Sequence, residues 1–169
     1  MVEMHLQAVR VELPTNNPVV LLQEVGGARR TLPIFIGPPE ATAIAFALQG
    51  VSTQRPMTHD LMRDALVALG VTVERVVITE LRGGTFFAEL HLNQGERREV
   101  ISCRPSDAIA LAARTSTPIF CDDELIDAEG MVLPAEEEGE EGDESADPEA
   151  IVDEFKHFID NIRPEDFTS

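Results

Sequence analysis

Two octapeptides decide the fold: PPEATAIA at residues 38–45 and PSDAIALA at 105–112. Both fit P-x-[DE]-A-x-A-[IL]-A, and both follow an apolar, strand-like run, LPIFIG in the first case and VISCR in the second. The proline fixes φ in the first helical turn. The carboxylate two residues later, Glu40 or Asp107, faces exposed amides at the positive end of the helix. The alanines let another backbone approach closely. A strand-to-helix unit used twice is therefore expected inside an α+β domain.

The flanks extend this pattern. Residues 4–13, 19–24 and 31–36 read as strands, with Val25-Gly26-Gly27-Ala28 as a hairpin connection. The first alanine-rich helix stops at Gly50; apolar nearly all round, it suits burial or a subunit contact. Thr58 is a natural N-cap and Gly70 a natural stop for a second helix. Its stripe Leu61, Met62, Ala65, Leu66 and Leu69 is expected to face the core. Residues 71–81, 86–93 and 99–103 read as a meander, followed by the helix opened by Pro105. A short strand at 118–121 and a helical turn or two at 122–128 complete residues 1–133.

Beyond that point the composition changes. Of the net charge of −18, residues 1–133 carry −6 (17 acids, 11 arginines) and 134–169 carry −12. Residues 134–147 read as an acidic disordered linker. Residues 148–169 read as an amphipathic helix and tail, with Ile151, Phe155, Phe158, Ile159 and Ile162 on one stripe. No run of about eighteen apolar residues exists, so no membrane span is expected. The N-terminus lacks the basic and apolar regions of a secretory signal, which makes the cytoplasm the expected compartment. Cys103 and Cys121 lack ligand-type spacing and read as buried, reduced thiols. Arginine pairs at 29–30 and 97–98 are isolated, so no broad basic surface for nucleic acid is visible.

In combination, LPIFIGPPEATAIAFALQG (32–50), RPMTHDLM (55–62), SCRPSDAIALAAR (102–114) and TPIFCDDELI (117–126) resemble the bifunctional nuclease domain family of bacteria and plants. The resemblance covers roughly residues 1–130. It implies an α+β fold with a largely antiparallel sheet, self-association, and activity on DNA and RNA. The family does not define a secure catalytic set, so it conveys an activity class rather than a residue list.

Phosphodiester hydrolysis needs an activated water, a stabilised leaving oxygen and neutralised phosphate charge. Carboxylates holding Mg²⁺ or Mn²⁺ supply all three, with His or Arg assisting. The candidate catalytic residues are Glu40, His59, Asp60 and Asp107, and the candidate substrate-binding residues are Arg55 and Arg104. All lie at or just before helix starts, where phosphate is favoured. Each also has a structural reading. The acids are natural helix-terminus carboxylates, His59 and Asp60 fit the first turn of a surface helix, and the arginines can pair with those acids. His5 and His91 read as structural, and Asp122-Asp123-Glu124 as a helix start. Two functions stay open: a nuclease of low sequence preference, with a divalent metal and DNA or RNA as substrate, or a non-catalytic oligomeric scaffold binding a protein or small ligand. A homo-oligomer suits both.

Overall fold

A computed structural model describes residues 1–12 and 15–133. The expected linker at 134–147 and helix at 148–169 lie outside the described residues. Strands β1 (Val2–Glu12), β2 (Asn17–Glu24) and β3 (Thr31–Phe35) form an antiparallel meander that leads into α1 (Pro38–Leu48). After α2 (Thr58–Ala68), strands β4 (Thr72–Arg82), β5 (Thr85–Gln94) and β6 (Arg97–Cys103) form a second meander leading into α3 (Pro105–Thr115). The chain continues through β7 (Ile119–Cys121) into α4 (Asp123–Glu129). Asp122 caps α4 by accepting the Glu124 N–H at 3.0 Å, so this acidic run is a helix start.

Among the described residues one sheet of seven strands has the order β3-β2-β1-β7-β4-β5-β6. Strand β7 joins the meanders, antiparallel to β1 with Met4 opposite Ile119, and parallel to β4 with Val76 opposite Ile119. All other neighbours are antiparallel. The two meanders thus flank β7 in reversed spatial order, and each leads into a helix that opens with one of the matching octapeptides.

Each of these helices covers its own meander. Helix α1 rests on β1 and β2, α3 rests on β4 and β5, and the two helices pack on each other. Alternation along β5 turns Ala88, Leu90 and Leu92 into the core. There they meet Ile109 and Leu111 of α3, with Ile44 of α1 and Leu22, Ile34, Val76 and Ile78 of the sheet in the same cluster. In α3, residues 108–112 are all buried, and α1 buries Ala41, Ala43 and Ile44. The small alanine side chains permit this burial on several sides without forcing the backbones apart.

Helix α2 departs from expectation in two respects. Its N-cap is Met57 rather than Thr58, and the Asp60 carboxylate accepts the Met57 N–H at 3.0 Å. Its apolar stripe also does not face the core: Leu61 and Leu69 are 62% and 67% exposed, and Leu66 alone of the stripe packs against the core cluster. The reason is layering. Helices α1 and α3 already cover the sheet, and α2 packs chiefly on α3. The cysteines are free; Cys121 is fully buried, whereas Cys103 near the edge strand's end is only half-buried.

Leu111→Ala removes a fully buried side chain under α3. Urea unfolding should show a loss of about 3 kcal/mol; a loss below about 1 kcal/mol would contradict the packing described.

Candidate active site

Three helix starts converge on one group of side chains. Arg104 is the N-cap of α3, and its Nε donates to Asp107 Oδ2 at 2.7 Å while Nη2 donates to Oδ1 at 3.0 Å. The same Nη2 forms an ion pair with Glu40 Oε1 of α1 at 2.9 Å. From the first turn of α2, His59 places Nε2 3.1 Å from Asp107 Oδ1. Neither Glu40 nor Asp107 is taken up by its own helix's amides; each carboxylate is held by side chains from elsewhere in the group. A Cβ at Gly37 would collide with the Glu40 carboxylate, so the glycine before α1 makes room for it.

The electrostatics follow from this geometry. Burial pushes the Asp107 carboxyl upward, but hydrogen bonds from Arg104 and His59, and their charge, outweigh it and hold the group below its usual range. Asp107 in turn raises the Arg104 guanidinium, with Glu40 adding to the effect. Arg104 remains 65% exposed, His59 only 9%. The group is therefore a partly shielded carboxylate–imidazole pair under an accessible cation. Cys103 stands beside it, and burial together with the Asp107 charge pushes its thiol up to about 11. It is protonated at neutral pH and poorly suited to act as a nucleophile.

Asp60 belongs to a second pair. Its Oδ1 accepts from Arg114 Nε of α3 at 2.6 Å, and Arg114 Nη1 donates to the Ala110 carbonyl at 2.8 Å. Burial works against ionisation of Asp60, but Arg114, the Met57 N–H and the charge of Arg63 prevail and lower its pKa. Sequence reading did not single out Arg114. Its only local signal is a cation in the last turn of α3, which by itself suits the helix dipole. The Asp60–Arg114 pair forms one wall of an open cleft of about 370 Å³. Phe46, Val51, Pro56 and Arg63 contribute to its other walls. Arg55 is exposed in the connection from α1 to α2, and its guanidinium makes no hydrogen bond or ion pair among the described residues. The structure therefore brings together Glu40, His59, Arg104 and Asp107, places Asp60 on the cleft wall, and leaves Arg55 outside both pairs.

The donor set does not make a ready divalent-metal site. Among the described residues no three His, Cys, Asp or Glu side chains converge on one point as ligands would. Between Glu40 and Asp107 the positive charge is the Arg104 guanidinium. His91, by contrast, lies on β5 between Glu89 and Arg75, away from these helix starts.

This combination defines a class: an α+β domain whose carboxylate–histidine–arginine cluster sits at converging helix starts. Residues 20–134 match the model of the Bifunctional nuclease domain, and the chain belongs to that family. It is 42% identical to an uncharacterized protein of Mycobacterium tuberculosis (strain H37Rv), over 98% of this chain and 97% of that protein. Bifunctional nuclease 2 of Arabidopsis thaliana is 30% identical over 70% of this chain, and Bifunctional nuclease 1 of the same plant is 29% identical over 68%. The matched segments span only 38% and 36% of those plant proteins.

Asp60→Ala leaves the Arg114 guanidinium, 5% exposed, without its carboxylate. The expected cost is about 3 kcal/mol in urea unfolding. Because folding lowers the pKa of Asp60 and Asp107, their stabilisation is present above the ordinary value of 3.8 and is lost as pH falls through the folded values. The wild-type urea midpoint should fall on acidification below about pH 4. Asp107→Asn should flatten that dependence, and an unchanged slope would contradict the assignment.

Proposed function

We propose that this protein hydrolyses phosphodiester bonds of DNA or RNA with low sequence preference. The observation that carries this reading is the Glu40–Arg104–Asp107–His59 group at converging helix starts, within a chain of the bifunctional nuclease domain family. Helix N-termini and an accessible guanidinium both attract a phosphate diester. In the proposed reaction Arg104 holds the non-bridging oxygens and offsets charge that develops at phosphorus. Asp107 accepts the Nε2 proton of His59, which leaves Nδ1 as the basic nitrogen and fixes the ring for proton transfer with water. Glu40 is the second carboxylate and orients Arg104 through their ion pair; the leaving oxygen takes its proton from solvent, and His59 releases to solvent the proton it gained from the attacking water. A cytoplasmic location and self-association belong to the same reading. The exposed apolar residues Leu61, Met62 and Leu69 of α2 support self-association.

Those exposed residues equally support the alternative, a non-catalytic oligomeric scaffold. Activity separates the two. Purified protein should degrade single-stranded DNA or RNA, and the activity should stay with the protein through successive columns. Glu40→Gln, His59→Gln and Asp107→Asn should each lower the rate by about a hundredfold or more while retaining a cooperative melt. Assays with chelator, and with added Mg²⁺ or Mn²⁺, decide whether a divalent ion assists. Three folded variants that cleave like wild type would refute the site, and a stable oligomer without hydrolysis would favour the scaffold.

A further inference from the structure

Residues His59 and Asp60 are consecutive but serve different places. Adjacent helical positions project about 100° apart. His59 turns to Asp107 near the start of α3, and Asp60 turns to Arg114 near its end. Arg114 lies seven positions after Asp107, about 10 Å along the helix axis. The first turn of α2 therefore links the proposed catalytic group to the cleft.

From this geometry we propose that the cleft receives one unpaired nucleobase of the substrate strand, a proposal that rests on the nuclease reading. Three features argue for a base. The volume of about 370 Å³ admits a single nucleotide and excludes a double helix. Phe46 and Pro56 supply apolar surface for a base face, and Phe46 supplies the aromatic ring. At the wall, Asp60, held by the buried Arg114, offers an acceptor suited to an exocyclic amine, and the Arg63 guanidinium, partly exposed and paired with Asp64 through Nε and Nη2, offers its remaining N–H groups to ring nitrogens or carbonyl oxygens. The acid of this wall is kept ionised by Arg114 and by the Met57 N–H, so it enters the cleft as an acceptor. A duplex hides both the faces and the pairing edges of its bases, so the cleft selects single strands. The negative charge of the chain is compatible with this arrangement, because recognition rests on stacking and base edges rather than on a broad basic surface.

The sequence contains no Trp and no Tyr, so Phe46→Trp in the full chain creates a single fluorescent reporter inside the cleft. The probe is a short phosphorothioate single-stranded DNA, which separates binding from cleavage; its duplex is the control. Binding is followed in parallel by the anisotropy of an end-labelled strand with the wild-type protein. The single strand should quench the reporter saturably, and the duplex should bind about tenfold more weakly. Ala47→Phe, which intrudes on the cleft from α1, should weaken single-strand binding by about tenfold. Because the anisotropy comparison of wild type with Ala47→Phe does not need the reporter, the test stands even if Phe46→Trp misfolds. Equal quenching and affinity for duplex would overturn selection of an unpaired base. Single-strand binding with a silent reporter and no effect of Ala47→Phe would overturn the cleft assignment while leaving the nuclease reading intact. Loss of cleavage in the catalytic-group variants beside unchanged strand binding would support both readings. Absence of binding and of cleavage together would remove both.

Discussion

The close packing of α1 against α3 is the constraint on which the rest of the structure depends. Both helices rise from the last strand of a meander, and each covers the meander that precedes it. Their alanine-rich faces let the backbones approach, and this brings the two first turns side by side. Only then can one guanidinium, that of Arg104, hold Glu40 and Asp107 together. Bulkier residues at these alanines would push the helix starts apart, and the ion pair would be lost with the packing.

Helix α2 adds what neither octapeptide contains. It lies outside the two helices that cover the sheet and buries little, but its first turn fits against α3. That turn delivers His59 to Asp107 and Asp60 to Arg114. Both contacts bring a partly buried polar group to its counterpart, so the placement of α2 is fixed by hydrogen-bonded pairs more than by apolar area. The price is an exposed apolar stripe on its outer side, from Leu61 to Leu69.

Family membership and geometry answer different questions. The match over residues 20–134 includes every residue of both pairs, and therefore associates them with one kind of domain. The Mycobacterium tuberculosis protein is similar to this chain along nearly its whole length. Which side chains touch one another comes from the distances. Arg104 is accessible and already holds two anions, Asp107 lies 3.1 Å from the His59 imidazole, and the Cys103 thiol remains protonated at neutral pH.

The sequence by itself determined the elements. Alternation in 86–92, the prolines at 38 and 105, and the glycines at 50 and 70 place strands and helix ends within a residue or two of those observed, because these signals act over one or two turns of backbone. It also put Glu40, His59, Arg104 and Asp107 among the candidates, since helix starts mark where acids and phosphates are stabilised. It misread the stripe of α2, whose burial depends on which helices reach the sheet first. It missed Arg114, whose partner lies 54 residues away. Only the tertiary structure decided that Arg104 bridges Glu40 and Asp107, and that Asp60 faces a cleft. The physical reason is range: periodicity and capping are written in neighbouring residues, whereas an ion pair between helices exists only once packing has brought distant parts of the chain together.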